Sequence, residues 1–155
     1  MHPEVEMLLR ALVATILGGA IGYDRQRHDK PAGLRTYMLV ALGAALFTAS
    51  AEIALGSDGP FDLLRVSAAI ATGIGFLGAG AIMRSGEGNV RGLTTAAGIW
   101  VTAGIGVTVG AGQWILGVGA TLITVIVIAV LAHPAIPTPG GSTSHHRDPD
   151  PTTNR

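Results

Sequence analysis

The sequence predicts an all-α membrane protein with five transmembrane helices, N-terminus outside and C-terminus inside. Five apolar runs have the length of a bilayer span, charge is scarce, and the basic residues alternate between the two sides of those runs. Of 155 residues, 48% are hydrophobic, 13% are charged and 23 are Gly. Soluble domains average about 25% charged residues, so half that value points to lipid as the solvent. Lipid removes the need for a polar surface and favours small residues where helices touch. The formal net charge is zero, which gives no electrostatic argument for nucleic acid. The absence of Cys excludes disulfides, thiolate metal sites and thiol nucleophiles.

A spanning helix needs about 20 mostly apolar residues. The first run covers about 5–23, with Glu4 and Glu6 at its start and Arg10 within it. It lacks a basic leader and a cleavage site, so it reads as a span and not a cleaved signal. The others cover about 36–53, 61–83, 92–110 and 113–132. Between them lie a charged loop (24–35), a short turn (54–60), a second basic loop (84–91) and Ala111-Gly112. The chain therefore divides into a transmembrane domain over 1–133 and a cytoplasmic tail over 134–155. The tail's Pro, Ser, Thr and His content reads as disorder.

Basic residues near spans collect on the cytoplasmic side. Arg25, Arg27, Lys30, Arg35, Arg84, Arg91, Arg147 and Arg155 fall on one side and only Arg10 and Arg65 on the other, an 8 to 2 split that alternates correctly for five spans. A shift of 59 positions aligns Gly19-Ala20 with Gly78-Ala79, Arg25 with Arg84, Gly33-Leu34 with Gly92-Leu93 and Thr36 with Thr95. Each half would be a helical hairpin around a basic loop, the two related as a parallel repeat, with the fifth helix added.

Gly73-Ile74-Gly75-Phe76-Leu77-Gly78 fits the dinucleotide pattern by letter, but it lies within a span with no preceding strand. It reads as a helix-packing surface: Gly73, Gly75, Gly78 and Gly80 would let another backbone approach, as would Gly18 with Gly22 and Gly106 with Gly110. Such faces serve self-association or packing within one subunit equally well.

Gly33-Leu34-Arg35-Thr36 and Gly92-Leu93-Thr94-Thr95 each open a helix on the cytoplasmic side, with Thr expected as the N-cap. Two helix N-termini with Arg25, Arg35, Arg84 and Arg91 nearby suggest an anion site for a phosphate, a lipid headgroup or an acidic partner. The competing reading makes these arginines topology determinants that snorkel to headgroups. Asp24, Arg10, Glu52, Asp62 and Arg65 stand near span ends, where structural pairing is expected. Asp62 and Arg65 can pair on one helix face, and Asp24 beside Arg25 is the best functional candidate among them.

No acidic residue is placed deep in a span, so Mg²⁺ has no intramembrane carboxylates. His145-His146 supplies too few ligands for a metal. No metal, cofactor or catalytic residue is expected, and catalysis is not indicated.

The segments 30–47 (KPAGLRTYMLVALGAALF), 73–84 (GIGFLGAGAIMR) and 90–107 (VRGLTTAAGIWVTAGIGV) closely resemble the membrane domain of the MgtC/SapB family. Asp62-x-x-Arg65 and Gly-Tyr-Asp-Arg (22–25) extend the match to about residues 5–130. The resemblance implies a bacterial inner-membrane protein linked to Mg²⁺ homeostasis and growth in low Mg²⁺. One branch is thought to restrain the F-type ATP synthase instead of moving Mg²⁺ itself. Asp24, Arg25, Gly33, Arg35 and Thr36 fall on the first motif, Asp62, Arg65, Gly75, Gly78 and Gly80 on the second, and Asn89, Arg91, Gly92, Thr94, Thr95 and Trp100 on the third. Tyr37 stands where many members have His, Ala69 where many have Gln, and Val101 where the virulence-associated branch often has Cys. The chain reads as a short form without that branch's soluble C-terminal domain. Two functions follow: a non-enzymatic regulator acting through another membrane protein, such as ATP synthase or a transporter, or a small transporter or channel subunit for Mg²⁺ or another solute, whose path, between subunits or between the two hairpins, would be lined by backbone carbonyls and the hydroxyls of Thr72, Thr102 and Thr108.

Overall fold

Each helix starts where the local chemistry allows one. Pro3 opens α1 (Pro3–Arg27), where its missing N–H costs no hydrogen bond; Glu4 and Glu6 in the first turn and Arg25 and Arg27 in the last complement the helix dipole. The computed structural model describes residues 2–55, 62–84 and 90–131, and the tail expected at 134–155 lies outside them. After α1 come α2 (Leu34–Leu55), α3 (Leu63–Ala81), a two-stranded ribbon of β1 (Met83–Arg84) and β2 (Val90–Arg91), α4 (Leu93–Gly110) and α5 (Trp114–Leu131). Asp62 caps α3, its Oδ1 accepting the Arg65 N–H at 3.1 Å. Gly92 enters α4 with a left-handed φ of 93°, and a Cβ there would collide with the Ala81 carbonyl. The α4–α5 turn places Gly112 at φ 77°.

Helices α1 to α4 are each long and apolar enough to cross a membrane. The α5 helix has 18 residues, a rise of about 27 Å against a hydrocarbon core of about 30 Å. The protein is thus an α-helical membrane protein.

Helix α4 is the centre, packed on α1, α2, α3 and α5. Of its span 56% is buried, against 6% for α3, which is attached mainly through α4. The core gathers Tyr37, Ile21, Ile99, Ile105 and Val109 among alanines. Lipid tails are as apolar as Leu, so association in the membrane depends on close packing more than on water exclusion. Small residues provide it. A Cβ on Gly18 would stand 2.6 Å from the Tyr37 carbonyl oxygen, on Gly22 2.8 Å from Leu34 Cα, on Gly106 2.5 Å from the Ala41 carbonyl oxygen, and on Gly110 2.8 Å from the Ala45 carbonyl oxygen. Helix α1 therefore lies backbone to backbone on α2, and α2 on α4. Gly78 makes ordinary contact with Ala96, 3.7 Å away, whereas Gly73, Gly75 and Gly80 meet nothing within 4 Å among the described residues. Among the described residues, only Gly78 of the α3 glycines contributes to the expected packing surface.

Three details differ from the sequence reading. The segment from Asp24 to Arg27 continues α1 instead of beginning a loop, because helix-compatible residues run on to His28. The second basic loop carries a short antiparallel ribbon pairing Met83 with Arg91 and Arg84 with Val90. Asp62 acts chiefly as a helix cap: its carboxylate is only loosely paired with exposed Arg65, at 4.0 Å.

At the end of the bundle away from the basic loops, Arg10 ties three elements together. Its Nη1 donates to Glu52 Oε2 at 2.7 Å and to the Gly110 carbonyl at 3.0 Å, and its Nη2 donates to Glu6 Oε1 at 2.5 Å. Arg10 is thus paired with two carboxylates and is not an isolated positive charge near the membrane, as the cost of an unpaired charge in lipid requires.

Candidate functional site

The openings of α2 and α4 share letters but not backbone. Gly92 has positive φ and Gly33 does not. Neither Thr36 nor Thr95 is the N-cap that was expected. The helices begin one residue after each Gly, which puts both threonines inside the first turn, and Gly92 makes no side-chain cap. The α2 opening is capped from another helix: Gln26 Oε1 of α1 accepts the Leu34 N–H at 3.3 Å.

The first turns of α2 and α4 meet at Tyr37. Its ring is fully buried, and its hydroxyl donates to the Thr95 carbonyl at 3.4 Å. Arg25 of α1 is only 3% exposed and close enough for its charge to act on the Tyr37 hydroxyl. Among the described residues its Nε has no hydrogen-bond partner. A positive charge is therefore buried in the last turn of α1, at the basic end of the bundle.

The other expected residues disperse around this junction. Asp24 does not pair with Arg25; its Oδ1 lies 3.5 Å from His28 Nδ1, one turn on. Arg35, Arg91 and Thr94 are exposed, Thr36 is half-buried and Thr95 is buried. Arg27 is positioned over the Tyr23 ring, 5.3 Å from its centre. Arg84 lies on β1 with its side chain outside the described residues, and Asn89 lies outside them altogether. The structure thus joins Tyr37 to Thr95, buries Arg25 near them and leaves Arg35 and Arg91 on the surface.

Tyr37, Gly98 and Gln26 were not identified as site-forming from sequence. A bulky residue one turn into an apolar helix, with Gly18 and Gly22 spaced four apart on the preceding helix, is the signal that pointed to the Tyr37 contact. Nothing in the sequence marked Gly98, which takes the far side of the same ring.

The arrangement offers a fixed cation and helix-end surfaces. Among the described residues no group of three or more His, Cys, Asp or Glu could hold a metal ion.

The MgtC family model matches residues 11–134. Protein MgtC of Salmonella typhimurium is 48% identical over 128 residues, covering 83% of this chain and 53% of that protein. The protein named putative magnesium transporter YhiD, of Escherichia coli K12, is 42% identical over 131 residues, covering 81% of this chain and 60% of its own length. Protein SrpB of Synechococcus elongatus is 44% identical over 131 residues, covering 77% of this chain and 71% of its own. The chain thus spans only about half to two thirds of the length of MgtC and YhiD. No solved structure matches. With the family model spanning nearly all of the five-helix bundle and the Tyr37–Thr95 contact, the chain belongs to the MgtC family.

Proposed function

We propose that this protein is a non-enzymatic regulator in the bacterial inner membrane, linked to Mg²⁺ homeostasis and growth in low Mg²⁺, and that it acts through another membrane protein. In this reading it has five spans, N-terminus outside, and presents its basic loops to the cytoplasm. The family and the names of its relatives support the Mg²⁺ connection. The observation that carries the regulator reading is the packing of α1, α2 and α4. Their interface is closed by glycine and alanine contacts at backbone distance, and the buried Thr48 and Thr102 hydroxyls turn inward on their own helices. Thr48 donates to the Ala44 carbonyl at 2.9 Å and Thr102 to the Gly98 carbonyl at 2.8 Å. A bundle so closed suits a rigid platform that holds the exposed Arg35 and Arg91 in a set relation for a partner to read, with Arg25 buried at the same end.

The transporter reading draws on the name of YhiD. It needs Thr72, Thr102 and Thr108 to share a path. Thr102 is fully buried inside the bundle while Thr72 lies on the exposed side of α3, its hydroxyl bonded to the Ala68 carbonyl at 2.8 Å. A path within one subunit is therefore the weaker reading.

Affinity purification of the full chain from native membranes in mild detergent, with identification of co-purifying proteins, tests the proposal. Stoichiometric recovery of ATP synthase or of a transporter supports the regulator and supplies its target. Recovery of the chain alone, together with Mg²⁺ flux into liposomes containing it, overturns the regulator in favour of transport. Normal growth of a deletion strain in low Mg²⁺ removes the link to Mg²⁺.

A further inference from the structure

The second and third helices meet sparsely, and a groove of about 840 Å³ opens between them. It runs from Arg35 and Thr36 at one end, past Gly43 and Gly73, to Ala51 and Arg65 at the other. Gly43 and Gly73 stand on its two walls, and a Cβ on either would meet nothing within 4 Å. Those missing side chains keep the groove wide at mid-depth. From Arg35 to Ala51 the helix rises roughly 24 Å, most of the hydrocarbon core of about 30 Å.

We propose that this groove binds an anionic phospholipid, with the headgroup phosphate at Arg35 and an acyl chain lying along the groove. Its polar lining is confined to the ends, and water enters a site only where several polar partners await it. In a bilayer the middle of the groove is therefore filled by hydrocarbon.

Charge selects which lipid. Arg65 has a carboxylate beside it, Asp62 Oδ2 at 4.0 Å from its Nε. Arg35 pairs with no carboxylate among the described residues and is exposed beside the groove mouth. Its guanidinium can accept a phosphate in bidentate fashion, with the Thr36 hydroxyl as a further donor. Basic pockets between membrane helices are read by anionic headgroups on these terms. The Arg35 end thus favours an anionic lipid, and the Arg65 end, where the nearby Asp62 carboxylate offsets the local charge and repels a phosphate, favours one less. This inference goes beyond the regulator reading and stands whether or not a protein partner exists.

The test is native mass spectrometry of the full chain in mild detergent, titrated with phosphatidylglycerol or phosphatidylcholine of matched acyl chains. The unmodified protein is expected to bind one phosphatidylglycerol about fivefold more tightly than phosphatidylcholine, the worth of one arginine against an anionic headgroup. Arg35→Gln should erase that preference while keeping phosphatidylcholine binding. Gly43→Leu, which fills the groove, should weaken both lipids, and Arg65→Gln should leave the preference intact. Excess inorganic phosphate should not displace the lipid. Equal binding of the two lipids by the unmodified protein overturns the proposal, a comparison that depends on no variant. So does a preference that survives Arg35→Gln, or displacement by phosphate, which would make the Arg35 end a free-anion site. A dimer that Gly43→Leu separates would also overturn it, by making a second copy the occupant.

Discussion

The Tyr37 hydroxyl on α2 reaches the Thr95 carbonyl on α4 at 3.4 Å, and the ring above it occupies the space left by the missing side chain of Gly98. A Cβ on Gly98 would lie 2.5 Å from the Tyr37 oxygen and 3.3 Å from the nearest ring carbons. A long hydrogen bond contributes little beside the shape match, so the junction is held mainly by packing. It sets the spacing of the first turns of two helices, from which the basic loops depart.

The Gly98 contact predicts a coupled pair. Gly98→Ala should destabilise the protein by about 1–3 kcal/mol through overpacking. Tyr37→Phe should cost about 0.5–1.5 kcal/mol, the usual worth of one hydrogen bond. The double variant removes the oxygen that the new methyl strikes, so it should cost at least about 0.5 kcal/mol less than the sum. Reversible denaturation in mixed micelles measures all three, and strict additivity would mean that the Ala methyl is absorbed elsewhere.

Gly106 and Gly43 separate close packing from mere glycine content. A Cβ on Gly106 would stand 2.5 Å from the Ala41 carbonyl oxygen, a backbone atom that cannot move aside alone. Gly106→Ala should cost about 1–3 kcal/mol. Gly43 faces open space, so Gly43→Ala should be neutral, or stabilising by up to about 1 kcal/mol through helix propensity. The same denaturation assay decides it, and equal costs would place the α2–α4 contact elsewhere.

The spans were legible because lipid imposes one strong rule, long apolar runs, on sequence and structure alike. Gly18, Gly22, Gly106 and Gly110 read as small faces for the same reason. Which small residues find a neighbour was not legible: Gly73, Gly75 and Gly80 lie on an apolar span as the packed glycines do, yet α3 turns them away from the rest of the described chain. That outcome depends on how α3 docks on α4, which pattern alone does not encode. The cap at Leu34 was hidden because it comes from Gln26 on another helix, eight residues back. Thr36 and Thr95 suggested caps by composition, but the left-handed Gly92 and the buried contact at Tyr37 shifted both helix starts.

Arg10 predicts unequal effects for its two carboxylates. Glu6 lies one turn away on the same helix, so Glu6→Gln removes a local pair worth about 0.3–0.5 kcal/mol. Glu52 lies on α2 and links two helices, and Glu52→Gln should cost about 1–2 kcal/mol, since a charged hydrogen bond is replaced by a neutral one. Arg10→Gln should cost more than either, because it leaves two carboxylates together and the Gly110 carbonyl without its donor. Thermal melting of the detergent-solubilised variants ranks them, and a reversed order for Glu6 and Glu52 would remove the interhelical role.

Arg25 is the residue where stability and function should part. A guanidinium that is 3% exposed, with an Nε that has no partner among the described residues, carries a desolvation cost that its contacts repay only in part. Met has similar length and no charge. Arg25→Met should therefore fold, with a stability within about 1 kcal/mol of the parent or above it. If the charge is kept for the task proposed above, the same variant should fail to restore growth of a deletion strain in low Mg²⁺ although it accumulates normally in the membrane. Arg25→Lys, which keeps the charge, should restore at least part of that growth. Full growth with Arg25→Met would assign the residue to topology alone. Loss of the folded protein would instead make it a structural tie, and would point to an acceptor for its side chain that outweighs the cost of burying it.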